Sequence, residues 1–374
     1  MKDKDTDIPQ ICFKGFNEFY VGGTKMNELF QHFNQLQQLN QLNRIVIKGY
    51  KSIRDCDIKL NNLNVLIGSN GAGKSNFISV FTLLHEILKQ RLSLYTAKRG
   101  TNALFYNGTK TTDRILTEFH FGLSSYAFEL EATDYNRLVF HEERSQWKDK
   151  VNWLSNGHHE SAYLQWLEAG DAMSPALHGR QWRVYHFHDT SSTSRIKTEH
   201  DLSNREDLMD DARNLAAFLY RLCKHHTASY KKILKAIQRI APYFNDFILR
   251  PEEGNKELII LRWQQNGCDD VFSASQLSDG TLRFICLATL LLMPEEMQPS
   301  TMIIDEPELG LHPYAITIFS ELVKKVATKK QIILATQSVE LLDHFEPEDV
   351  IVVDRTENGS AFKRLDAERL AAWL

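Results

Sequence analysis

Gly68-Ser69-Asn70-Gly71-Ala72-Gly73-Lys74-Ser75 spells a glycine, four free positions, then Gly-Lys-Ser. Just before it, Asn64-Val65-Leu66-Ile67 is a short apolar run that reads as a strand. Just after it, Asn76 to Leu88 reads as a helix, with Phe77, Val80, Phe81, Leu84 and Leu88 on one face. Glycines let the backbone curl so that successive N–H groups point inward at phosphate oxygens, and the following helix adds its positive end. Lys74 would reach the β- and γ-phosphates of a nucleotide, and Ser75 would hold Mg²⁺. Gly68, Ser69, Asn70, Gly71, Ala72, Gly73, Lys74, Ser75 and Asn76 are therefore the candidate nucleotide-binding run. An ordinary strand-to-helix turn does not explain a lysine and a serine after its last glycine.

A second segment complements the first. Met302-Ile303-Ile304-Asp305-Glu306 is an apolar strand that ends in two acids. Open α/β sheets bind ligands at the C-terminal edge of their strands. There Asp305 would face the Mg²⁺ held by Ser75, and Glu306 could take a proton from an attacking water. Between the two lies Gln276-Leu277-Ser278-Asp279-Gly280-Thr281, a serine, an acid and a glycine immediately before a helical run. A hydroxyl, a flexible backbone and unpaired N–H groups make an anion site.

Around these motifs the periodicity divides the chain. Residues 1–43 form an extension in which Leu29, Phe30, Phe33, Leu36, Leu39 and Leu42 recur as on a helix face. Residues 44–144 carry the phosphate loop, with strands expected at Arg44–Lys48, Cys56–Leu60 and Asn64–Ile67. Alternating runs at 114–121, 126–131 and 138–142 predict an antiparallel meander. Residues 145–254 break the pattern and read as a mainly helical insertion, with helices over 211–226 and 230–240. Residues 255–374 return to alternation: strands at 258–263, 301–304, 331–335 and, last, 350–353, with helices at 281–292 and 314–327. That is the spacing of a parallel α/β sheet.

Composition bounds the rest. The chain has 374 residues, ample for a large core, and a net charge of −4, which gives no global pull toward nucleic acid. Five scattered cysteines without a Cys-x-x-Cys pair indicate neither a disulfide framework nor a zinc site. No signal peptide or bilayer-length apolar run is visible, so a soluble, cytoplasmic protein without membrane contact is expected. His186 and His188 in Tyr185-His186-Phe187-His188-Asp189 alternate as metal ligands can, with no third ligand placed by spacing. His158-His159-Glu160 reads as a solvated loop. Lys224, Lys231, Lys232, Lys235 and Arg239 line the outer side of the two central helices, a charged face that could meet a DNA backbone.

The order phosphate loop, Leu-Ser-x-Gly, acid-tipped strand resembles the ABC-type ATPase heads of the SMC, RecF and OLD families. Asp305-Glu306-Pro307-Glu308-Leu309-Gly310-Leu311-His312-Pro313 looks like their Walker B motif and D-loop, and residues 44–131 and 255–355 carry the likeness. The resemblance implies an α/β fold: an ABC-type P-loop NTPase head with a mixed sheet and an antiparallel β subdomain, plus the helical insertion. It implies ATP and Mg²⁺ as ligands, and two heads that sandwich two ATPs. Ser278 and Gly280 of one chain would then touch the γ-phosphate held by Lys74 of the other. Lys74, Glu306 and Gln337 are the catalytic candidates, and Ser75 and Asp305 the metal ligands. Gln337 occupies a position where these heads usually carry histidine, and glutamine cannot take a positive charge. No glutamine lies between Gln90 and Gln146, where a metal-sensing one is usual. The resemblance points to defence against phage or plasmids, with DNA repair or remodelling as the alternative. About twenty residues follow the last expected strand, so a nuclease or toxin effector is expected on a separate protein. A homodimer or higher even-numbered oligomer is expected, with DNA a second candidate partner.

Overall fold

Thr301–Asp305 and Gln331–Thr336 are buried at every position, as strands must be when a sheet is covered on both faces. The computed structural model describes residues 11–13, 19–21, 24–25, 41–168, 182–191 and 193–365, and puts both strands at the centre of a six-stranded sheet. Its order is β8 (Trp182–Tyr185), β9 (Thr301–Asp305), β10 (Gln331–Thr336), β3 (Leu63–Ile67), β11 (Val350–Thr356) and β12 (Gly359–Arg364). Strands β8 to β11 are parallel, and β12 closes the edge as an antiparallel hairpin partner.

A second six-stranded sheet is wholly antiparallel, in the order β7 (Lys150–Ser155), β6 (Leu138–Trp147), β5 (Ser124–Ala132), β4 (Arg114–Phe121), β1 (Leu42–Tyr50) and β2 (Ile53–Lys59). Helix α1 (Lys74–Leu88) lies between the two sheets. Its Phe81 meets Phe119 of β4 edge-on at 5.9 Å, and its Phe77 meets Phe362 of β12 at 5.3 Å. Ile303, Ile333, Ala335, Ile351 and Val353 of the parallel sheet join the same core. Each fully buried side chain of this size contributes about 1.5–3 kcal/mol. The helix that follows the phosphate loop is therefore clamped from two sides.

Alternation along the parallel strands sends their other residues to the opposite face. Met302, Ile304, Ile332, Leu334 and Val65 meet helices α3 (Leu215–His225), α4 (Thr227–Ile240), α5 (Asp279–Leu292) and α6 (Pro313–Ala327) there. A short helix α2 (Leu92–Arg99) follows α1, and Glu160 receives its Leu92 and Ser93 N–H groups at 2.8 and 3.0 Å.

The α/β head with its antiparallel subdomain is as the sequence predicts. Four details differ. Residues 145–254 carry α3 and α4, but they also give β7 to the antiparallel sheet and β8 to the parallel one, so this stretch is threaded into both sheets. The single strand expected over 258–263 is two. Leu258–Ile259 pairs with His200–Asp201, while Arg262–Gln265 pairs with Phe244–Phe247 and Val271–Ser273. The break falls at buried Leu261, whose carbonyl is taken by the N–H of Ala274. Strand β12 follows the strand expected to be last. The helix face expected before residue 41 lies outside the described residues, and Leu42 opens β1 instead. Among the described residues no helix is long and apolar enough to cross a membrane.

Candidate nucleotide site

The phosphate loop leaves the end of β3 and enters α1 at Lys74. Two glycines in it hold left-handed backbone, Gly71 at φ +79° and Gly73 at φ +124°, conformations that side chains rarely adopt. Gly73 also lacks room: a Cβ there would lie 2.1 Å from Ser360 Oγ. Ser360 donates to Ser52 Oγ at 2.7 Å, and Asn76 Nδ2 donates to the same hydroxyl at 2.7 Å. Asn76, expected in the cradle, is thus turned toward the β1–β2 turn and pins the start of α1. Lys74 is buried, and its ammonium donates to the carbonyls of Gly68 at 2.6 Å and Ser69 at 3.1 Å. A phosphate bound in the loop must share or exchange these two bonds.

Asp305 ends β9, two strands from the loop. The register Asp305–Ala335–Leu66 sets it level with the end of β3, about 10 Å away across β10 at the usual strand spacing. Its Oδ1 is buried and has no hydrogen-bond partner. Burial raises the Asp305 carboxyl above the usual range, against the pull of His186, His188 and Lys74. An orphaned carboxylate oxygen, at the C-terminal edge of a parallel sheet, fits a bound cation. Ser75 and Asp305 are the residues that would hold Mg²⁺, which would screen the phosphate charge.

The neighbour of β9 on its outer side was the part least visible in the sequence. Strand β8 ends at Tyr185, opposite Ile304, so the two histidines lie beyond the strand rather than on it. His188 Nε2 donates to the Asp305 carbonyl at 2.9 Å. His186 Nδ1 lies 3.7 Å from Asp305 Oδ2, and burial lowers the pKa of this imidazole. The rings are 5.9 Å apart, and among the described residues no group of three or more His, Cys, Asp or Glu could by itself hold a metal ion. The pair seen as candidate metal ligands therefore flanks the acidic strand end instead of forming a centre of its own. His158 belongs to a different structure. It donates to the fully buried Glu143 at 2.9 Å, together with Tyr126, Ser161 and the Ala162 N–H.

Ser278 caps α5, accepting from Thr281 N at 3.1 Å. Two residues on, a Cβ at Gly280 would lie 2.3 Å from the Gly310 carbonyl, so only glycine lets α5 sit against the loop after β9. Ser278 and Gly280 thus belong to one cluster with the Glu308–Leu311 turn, a different one from the loop around Lys74. Arg283, one turn further along α5, is buried in the otherwise apolar run 282–288. Its guanidinium donates to the carbonyls of Phe187 and His188, both at 2.9 Å, to Thr190 Oγ1 at 3.4 Å, and to the carbonyl of Leu309. Burial lowers its pKa, against the pull of Asp279. One side chain therefore ties the Ser278 helix to the histidine segment and to the turn after Glu306. Arg283→Met keeps the apolar stem and strands these acceptors. Hydrogen bonds to charged groups contribute about 1.5–3 kcal/mol each, so urea denaturation should show a loss of about 3 kcal/mol or more.

Gln337 follows β10, and its backbone N–H reaches Glu308 Oε1 at 3.4 Å. Thr336 Oγ1 donates to the same oxygen at 2.5 Å, while Glu308 Oε2 is buried without a partner. Glu308 thereby joins the turn after β9 to the end of β10. Among the residues the sequence singled out, Lys74, Asp305, Glu306 and Gln337 share one sheet edge. Glu308 and Arg283 are additions. Only the polarity of Arg283 inside an apolar helical run marked it in advance.

Comparison with known proteins agrees with this geometry. Residues 63–343 match a protein-family model described as "AAA domain, putative AbiEii toxin, Type IV TA system". No curated protein matches the chain. Among solved structures, the Smc head bound to the C-winged helix domain of ScpA superposes with a TM-score of 0.59 at 14% identity, covering 88% of this chain and 99% of that one. A Pyrococcus furiosus Smc head with an extended coiled coil, bound to the C-terminal domain of ScpA, gives 0.57 at 14% identity, covering 89% and 98%. At such identity the likeness is one of fold. The family match spans most of the chain, from β3 through the end of β10, so the protein belongs to the family described as AAA domain, putative AbiEii toxin, type IV TA system, and it has the fold of an Smc head domain.

Proposed function

We propose that this chain binds ATP with Mg²⁺ and hydrolyses it as one of two facing heads, and that the ATP cycle holds or releases a separate effector protein. The loop from Gly68 to Ser75 binds the phosphates, and Lys74 carries the β- and γ-phosphate charge. Glu306 takes the proton of the attacking water, and Gln337 orients that water or the γ-phosphate. Ser278 and Gly280 complete the partner's site. The observation that carries the reading is the buried, unpartnered Oδ1 of Asp305, level with the end of the phosphate-loop strand. The family's description as a toxin of a type IV toxin–antitoxin system supports a defence role against phage or plasmids, and with it a protein partner. Smc heads bound to parts of ScpA are a precedent for a head that carries one. Free Cys56, Cys223, Cys268 and Cys286 suit the reducing cytoplasm.

A second reading has its own support. Lys224 on α3 and Lys231, Lys232 and Lys235 on α4 are exposed, as a DNA-contacting face requires. Turnover measured with and without duplex DNA separates the two. Effector control predicts Mg²⁺-dependent ATP hydrolysis that DNA leaves unchanged. A large, salt-sensitive stimulation by DNA favours direct action on DNA, and an inability to bind ATP rejects both.

A further inference from the structure

The Asp305 end of the sheet carries nitrogen as well as oxygen. Metal ions of the Mg²⁺ class prefer an all-oxygen shell, completed by nucleotide phosphates and water. Here an imidazole stands on the open side of the carboxylate. His186 Nδ1 is 3.7 Å from Asp305 Oδ2, too far for a hydrogen bond, yet two metal–ligand bonds of about 2.1 Å span that gap at an open angle. The His186 side chain is 43% exposed, so the ring faces accessible space. Its backbone is fixed, since His186 N donates to the Asp210 carbonyl at 2.9 Å. His188 holds the other side of the same residue, fastening the Asp305 carbonyl. Arg283 in turn grips the carbonyls of Phe187 and His188, so the histidine segment is braced against β9 by a buried charge.

We propose that His186 is a nitrogen ligand of the divalent cation that Asp305 holds with the nucleotide. Imidazole is a softer donor than carboxylate or water, and a common ligand of divalent first-row metals. Two protein side chains do not make a metal site alone, in keeping with the lack of a three-ligand cluster among the described residues. The nucleotide phosphates must supply the remaining oxygens, so cation and nucleotide bind together. His188 is a positioning residue in this scheme, since its Nε2–H is committed to the Asp305 carbonyl. The inference rests on the nucleotide reading above and adds to it the identity of one ligand.

The test is pulsed electron paramagnetic resonance of the full chain with Mn²⁺ and a non-hydrolysable ATP analogue. Coupling to ³¹P reports the nucleotide on the metal, and ¹⁴N modulation reports an imidazole. Both are expected in the wild-type protein. His186→Leu should lose the ¹⁴N modulation and keep ³¹P, whereas His188→Leu should keep both. Phosphorus coupling without nitrogen in the wild type overturns the inference and leaves the ATP reading standing. Nitrogen that survives His186→Leu and disappears in His188→Leu overturns the assignment to His186. Absence of both couplings in the wild type overturns the inference together with the nucleotide reading. The wild-type spectrum decides the central point even where a variant does not fold.

Discussion

Glu306→Gln is expected to lower ATP turnover by about 10²- to 10⁴-fold, the range that a general base contributes, while ATP binding is kept. The reason lies in how the residue is held. Glu306 is the first residue beyond β9, and its N–H donates to the Ala335 carbonyl of β10 at 2.7 Å. Its φ is +43°, a left-handed backbone that costs a non-glycine residue about 1–2 kcal/mol. Strain of that kind persists where neighbouring structure over-determines it, and it clusters at active sites. The turn aims a carboxylate that is half-buried, next to the buried Asp305. Glutamine has the same shape and keeps the backbone conformation, but it cannot take a proton. Binding should therefore survive while the chemical step stops, leaving heads closed on ATP. Steady-state phosphate release and light scattering with ATP check the two halves. Turnover equal to wild type would remove Glu306 from the role of base. Glu306→Gly supplies a contrast: it relieves the strained φ, so the melting temperature should hold or rise while turnover falls as in Glu306→Gln.

What the sequence disclosed and what it hid follow the range over which each feature is encoded. The phosphate loop is local: glycines, lysine and serine sit within eight residues, and the strand and helix beside them are marked by their own periodicity. The same holds for Met302 to Glu306, where apolar burial and terminal acids are adjacent. Strand β8 was hidden because Trp182–Tyr185 has only four residues, three of them half-buried, and its partner β9 lies more than a hundred residues away. Nothing short-range tells a four-residue parallel strand from a loop. The histidines were visible as residues but not as neighbours of Asp305, since that relation depends on the β8–β9 register. The Gly280 contact with Gly310 is hidden for the same reason, as each glycine reads locally as a helix start or a turn. Arg283 shows the opposite case. A buried charge contradicts the apolar run of α5 around it, and such a conflict between local pattern and fold points to a site under a separate constraint.

Ser278→Arg is expected to leave ATP binding intact and abolish hydrolysis, and the activity should return in part when this variant is mixed with Lys74→Ala. The fold should tolerate the change. Ser278 lies at the exposed start of α5, and losing its cap on Thr281 N costs about 0.5–2 kcal/mol. Within one chain Gly280, two residues after Ser278, adjoins Gly310 and Leu311, while the phosphate loop is built with Ser52 and with Ser360 on the strand at the opposite edge of the sheet. A site split in this way is completed when a second head supplies the missing half, as an isologous dimer does for both sites at once. In a mixed dimer the Ser278→Arg chain contributes an intact Lys74 and the Lys74→Ala chain an intact Ser278, so one of the two sites is whole. Random pairing puts half of the dimers in the mixed class, and about a quarter of wild-type turnover is expected from two variants that are each inactive alone. A Ser278 that acted within its own chain would give no such recovery, because every chain in the mixture carries one lesion. Equal mixtures that form mixed dimers by light scattering yet release no phosphate would therefore exclude the two-headed site, and would do so without touching the ability of a single head to bind ATP.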